Sequence, residues 1–141
     1  MKRNRPGRTL VRGPRFRHGA APRVLIISRD TKLGERIRAE MRRLLRDPWF
    51  AAYPSIAAYR DSKEANIIHE VVIYCSRGDD LPEAVKDMAG KILFICREAK
   101  LIVYSDACED PIDGRIAALV EQPNESALAE AINALLRPKA A

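Results

Sequence analysis

Six side chains of chemical interest stand at the ends of apolar runs. Ser28, Arg29 and Asp30 follow Val24-Leu25-Ile26-Ile27, Cys75 follows Val71-Val72-Ile73-Tyr74, Ser105 follows Leu101-Ile102-Val103-Tyr104, and Gln122 stands before Pro123, shortly after Ile116-Ala117-Ala118-Leu119. Their types define what they could do. A guanidinium near a thiol would favour the thiolate and a reactive Cys75, although a cysteine that closes an apolar strand is ordinarily buried and inert, and inertness is expected here. Arg29 could hold a small anion, or could act as a fixed counter-ion that keeps the site in one conformation; the plainer expectation is a partly exposed arginine paired with Asp106. No metal and no other cofactor is expected at these residues. With no evident general base and no glycine-rich phosphate loop, a thiol-dependent or anion-binding enzyme is the least favoured function class.

The apolar runs read as strands, each followed by a helix-capable segment or a loop, which is the grammar of a parallel α/β sheet. In such sheets ligands sit in the crevice beyond the carboxyl ends of the strands, where all six residues fall. Leu33, Ile37, Met41, Leu44 and Leu45 recur at helical spacing, with Asp30 or Thr31 as N-cap and Asp47-Pro48 as the stop. Arg38, Arg42 and Arg46, four apart on that helix, read as a solvated face because Glu35 and Glu40 lie among them. The stretch PWFAAYP, residues 48–54, is read as an insertion packed over a sheet edge, and residues 55–59 as a short second strand. His69 is read as an ordinary loop or helix-end histidine. A further helix is expected over residues 82–97, with Gly90 a cost of about 1 kcal/mol in its interior. A last helix, capped by Asn124, runs through Leu128, Ile132 and Leu136 before Pro138.

The chain has 141 residues, enough for one domain of ordinary size and a short extension. Charge is unevenly placed. Residues 1–23 hold eight of the 25 Lys and Arg and none of the 19 acids, which leaves residues 24–141 nearly neutral, with 17 basic and 19 acidic side chains. Residues 1–22 combine Arg, Gly and Pro with few apolar side chains and are expected to be a disordered basic tail. Arg12, Arg15, Phe16 and Arg17 could let that tail meet nucleic acid through phosphate contacts and stacking; the plainer expectation is a solubilising extension without a dedicated ligand. Three cysteines, Cys75, Cys96 and Cys108, form no CxxC pair and no metal-ligand cluster, so a reducing cytoplasm is the expected setting. No apolar run is long enough to span a membrane.

The strand-end spacing, Ser105, the stretch GRIAALVEQP and the closing helix resemble a response-regulator receiver domain over residues 23–137, with 138–141 as a short C-terminal tail. The resemblance implies a flavodoxin-like αβα sandwich with a five-stranded parallel sheet in order 2-1-3-4-5. In that family two acidic residues end the first strand and help hold Mg²⁺, an Asp ending the third accepts phosphate, Ser or Thr ends the fourth, and Lys-Pro follows the fifth. The corresponding positions here are Ser28 with Arg29, Cys75, Ser105, and Gln122 with Pro123; Leu119 stands where the family has an aromatic switch. The chain thus resembles a degenerate pseudo-receiver. The implied function is a non-enzymatic, phosphorylation-independent signalling or adaptor module that binds a partner protein, with Leu119, Glu121 and Gln122 as the candidate contact surface. Nucleic-acid association through the tail is the alternative. Only residues 106–115 separate the fourth and fifth strands, leaving about one turn where receivers have a full helix.

Overall fold

The computed structural model describes residues 21–77, 80, 82–106 and 114–136. Five strands, β1 (Arg23–Ile27), β2 (Trp49–Tyr53), β3 (Val71–Ser76), β4 (Lys100–Ser105) and β5 (Ile116–Glu121), form one parallel sheet in the order β2-β1-β3-β4-β5. This is the flavodoxin-like, receiver-like fold, with the strand order, that the resemblance implies. The central strands are apolar on both faces because both faces are covered, as parallel sheets require. Val24, Ile26, Ile73 and Ile102 pack with Ile37 and Met41 of α1 (Thr31–Leu44) and Leu128 and Ile132 of α4 (Glu125–Leu136). On the opposite face Leu25, Val72, Leu101 and Val103 pack with Tyr59 of α2 (Ile56–Arg60) and Val85, Ala89 and Ile92 of α3 (Pro82–Ile95).

The second strand is a correction. It spans Trp49–Tyr53, within the stretch read as an insertion, and residues 55–59 are not a strand but the cap and first four residues of α2. Three aromatics in seven residues favour an extended, half-buried strand, and Pro48 and Pro54 bracket it without needing a ladder hydrogen bond. Ser55, extended at φ −158°, accepts from Ala58 N at 3.0 Å and starts the helix.

Asp30 caps α1, its Oδ1 accepting from Leu33 N at 3.2 Å. A Cβ at Gly90 would lie 3.3 Å from the Arg115 guanidinium, the far end of a flexible side chain that rests against α3 at that point. His69 lies in the loop before β3, as expected, and its burial is what the sequence did not show. It is only 1% exposed, with Nδ1 2.9 Å from the Tyr59 hydroxyl and Nε2 3.2 Å from Glu64 Oε1. A carboxylate can only accept, so Nε2–H donates to Glu64 and the ring ties α2 to the turn at Lys63–Asn66 and to the start of β3. The expected tail with Arg12, Arg15, Phe16 and Arg17, together with Cys108, the short segment after Asp106 and residues 138–141, lies outside the described residues.

Candidate functional site

A crevice of about 490 Å³ opens at the carboxyl ends of β1, β3 and β5, as the topology of an open parallel sheet dictates. Ser28, Arg29, Asp30, Cys75 and Gln122 all line it, so five of the six strand-end residues meet in space. Ser105 is buried at the end of β4 and is not part of the lining; its carbonyl accepts from Gln122 N at 2.7 Å.

The Ser28, Asp30 and Gln122 side chains each have a structural partner. The Ser28 hydroxyl donates to Asp30 O at 2.8 Å and also contacts the Cys75 thiol. The Asp30 carboxylate is engaged in capping α1. Gln122 Nε2 donates to Tyr104 O at 2.7 Å and lies 3.4 Å from Ser76 O, so the carboxamide closes over the ends of β3 and β4. A lysine at that position would point a charge where Gln122 satisfies backbone carbonyls.

Arg29 corrects a further expectation. Its guanidinium binds Asp80, with Nη2 3.0 Å from Oδ1, rather than Asp106. Strand order supplies the reason: β3 is the direct neighbour of β1, so the loop after β3 reaches Arg29, whereas Asp106 follows β4, one strand farther away. Asp80 is fixed in turn by accepting from Arg77 N at 3.0 Å.

Burial pushes the Cys75 thiol up to about 12; the Ser28 hydrogen bond opposes this and the Asp30 charge adds to it. The neutral thiol dominates at neutral pH, which makes Cys75 a poor nucleophile. Tyr104 is raised in the same sense, first by burial. Its hydroxyl accepts from Asn124 N at 2.8 Å and lies 3.4 Å from Glu125 Oε2, so it pins the entry to α4.

Three lining residues escape a reading of strand ends alone: Lys32 and Arg36, one turn apart on α1, and Arg77 just after β3. Their periodicity on α1 was available in the sequence, but which face of that helix meets the crevice was not. With Arg29 they place four cations on the crevice beside Asp30 and Asp106; Arg29 is paired with Asp80 and Arg36 lies 3.9 Å from Glu125. Among the described residues, no cluster of three or more His, Cys, Asp or Glu could hold a metal ion.

The candidate partner residues take different places. Leu119 is half-buried against the α3-side core, Glu121 is exposed at the end of the edge strand β5, and Gln122 has the roles just given.

No protein-family model matches the sequence, and no curated protein matches it. Solved structures do. The chain is similar to the response regulator TrrA from Thermotoga maritima in complex with Mg²⁺-BeF, at 17% identity and a TM-score of 0.63, over 82% of this chain and 99% of that one. It is similar to HP1043, an orphan response regulator of H. pylori, at 16% identity and a TM-score of 0.62, over 82% and 97%. It is similar also to the signal receiver domain of an HD domain-containing protein from Pseudomonas fluorescens, at 13% identity and a TM-score of 0.65, over 83% and 95%. At these identities the likeness establishes the fold. No described helix is long and apolar enough to cross a membrane.

Proposed function

We propose that this chain is a non-enzymatic, phosphorylation-independent, receiver-like signalling or adaptor module of the cytoplasm that acts by binding a partner protein. The observation that carries the reading is the inverted charge of the crevice. Arg29, Lys32, Arg36 and Arg77 line it, Asp30 is engaged in capping α1, and Cys75, whose thiol is buried and protonated, is the residue that the resemblance sets in the place of the phosphate acceptor. A thiol cannot form the acyl phosphate of an aspartate, and the cationic rim takes the place of a metal-dependent charge balance. The similarity of fold to response regulators supports the signalling assignment. The partner contact is assigned to the open edge of the sheet around Leu119, Glu121 and Gln122, with residues 23–137 as the functional unit and the basic tail as an accessory.

The test is exposure to acetyl phosphate, or to beryllofluoride with Mg²⁺, followed by intact-mass and amide NMR measurements. The expected result is no adduct and no saturable shift at residues 28–30. A stable phosphoryl adduct would overturn the proposal.

A second reading has one observation in its favour. Lys32 faces the crevice beside Arg29, so a small anion could be held there without metal; titration with inorganic phosphate, read by NMR at Ser28 and Lys32, tests it.

A further inference from the structure

Trp49 is the single tryptophan of the chain, and 61% of it is exposed at the start of the edge strand β2. This indole is held in place. The Arg23 guanidinium lies 5.2 Å from the ring centroid, a cation–π contact from a residue that is itself 9% exposed. One side of the ring is thereby supported from within the fold, and the exposed remainder is presented to solvent.

Two arginines share the same surface depression with Trp49 and Phe50. Arg42, in the last turn of α1, and Arg46, just beyond it, are both exposed, and neither is in an ion pair among the described residues. This separates them from the rest of the basic face of α1, where Arg38 is paired with Glu35 and Arg43 with Glu40. One carboxylate, Asp47, also lines the depression. The carboxyl end of α1 adds about half a negative charge, less than the two guanidiniums supply. Trp49 N donates to Pro22 O at 2.8 Å, so Pro22 lies beside the indole, and in the sequence it follows residues 1–20, which hold seven cations and no acid.

We propose that Trp49, Arg42 and Arg46 form a binding platform for single-stranded nucleic acid on the folded domain. The indole stacks on an unpaired base, the two guanidiniums contact flanking phosphates, and the adjoining basic segment adds sequence-independent attraction. The preference is for single strands because bases in a duplex present no free face to an indole. The proposal does not depend on the absence of phosphotransfer and would survive its failure.

The single tryptophan makes the test site-specific. The full chain is titrated with a labelled oligothymidylate of about 15 nucleotides, following label anisotropy and tryptophan emission together. The expected result is coincident binding and quenching, weakened by salt, with a duplex of equal length and heparin quenching far less. In the full chain Trp49→Ala should weaken binding about 5- to 150-fold, the range for one base–aromatic stack, while Trp49→Phe retains most of it. The doubly substituted Arg42→Glu, Arg46→Glu protein, altered only at exposed positions, should bind more weakly and with a shallower salt dependence. Binding without quenching, or binding unaffected by Trp49→Ala, would mean that the tail acts alone and would overturn the platform. Absence of binding would overturn it too, as would equal quenching by polyglutamate, which would mark a surface for acidic protein segments.

Discussion

Asp30 is the residue at which a structural and a metal-binding role are most easily confused. Its carboxylate lines the crevice and accepts from Leu33 N as the cap of α1. Asp30→Ala should therefore reduce stability by about 1 kcal/mol in urea unfolding, within the range of N-cap losses, and leave the Mg²⁺ response of the crevice unaltered. Cys75 offers a second measurement. Its folded-state pKa lies above the ordinary thiol value, so the thiol contributes no pH dependence while both states are protonated. As pH rises past about 9 the unfolded thiol ionises and the folded one does not, and stability falls until pH reaches about 12. Within that window one proton of difference is about 1.4 kcal/mol per pH unit. Urea titrations of Cys75→Ala should show a correspondingly shallower alkaline loss; an equal slope would mean that the thiol is accessible. The positions of Ser28, Arg29, Cys75 and Gln122 were legible in the sequence because a strand end is a one-dimensional landmark. The partners were not: Asp80 reaches Arg29 only because β3 lies beside β1, a fact of strand order rather than spacing.

At the scale of elements, the same distinction explains what was read correctly and what was not. α1, α3 and α4 announce themselves by apolar residues three and four apart with caps and prolines at their ends, and the structure places them there. β2 is short, is bounded by prolines and lies at an edge, so it lacks the continuous apolar run of the central strands, and its alternation is blurred by Ala51 and Ala52. The Tyr59–His69–Glu64 connection was equally hidden, since no spacing rule relates a helix residue to a histidine ten positions later. Tyr59→Phe, which removes one buried hydrogen-bond partner of His69 and little volume, should lower stability by about 1–3 kcal/mol. Chemical denaturation checks this, and an unchanged midpoint would show that the hydroxyl contact contributes nothing. Gly90→Ala tests α3. The added methyl meets only the far end of the flexible Arg115 side chain, so the helix-propensity gain should dominate and stability should rise by up to about 1 kcal/mol. A loss instead would show that the seat of Arg115 on α3 matters more than propensity.

Charge is the property in which the molecule as a whole departs from an even mixture. The near-neutral portion from residue 24 onward contains both hydrophobic cores, one on each face of the sheet, whereas the seven cations of residues 1–20 precede every described element. Folding and polyanion attraction are therefore separable. Removing residues 1–20 should leave the thermal midpoint essentially unchanged, because the core contacts of β1 begin at Val24 and the Trp49–Pro22 hydrogen bond is retained. The same truncation should flatten the salt dependence of single-strand binding. If all seven cations meet phosphates, the slope of log K against log salt falls by up to about 5, at roughly 0.7 per neutralised phosphate. Residual quenching of Trp49 in the truncated chain would assign part of the affinity to the folded surface, whereas complete loss of quenching would assign it to the tail. A partner protein held by the Leu119–Gln122 edge should be indifferent to both salt and truncation. Measuring the two ligands on the same pair of proteins separates a signalling surface from an electrostatic one, since a shift in thermal midpoint on truncation is the one outcome that would tie them together.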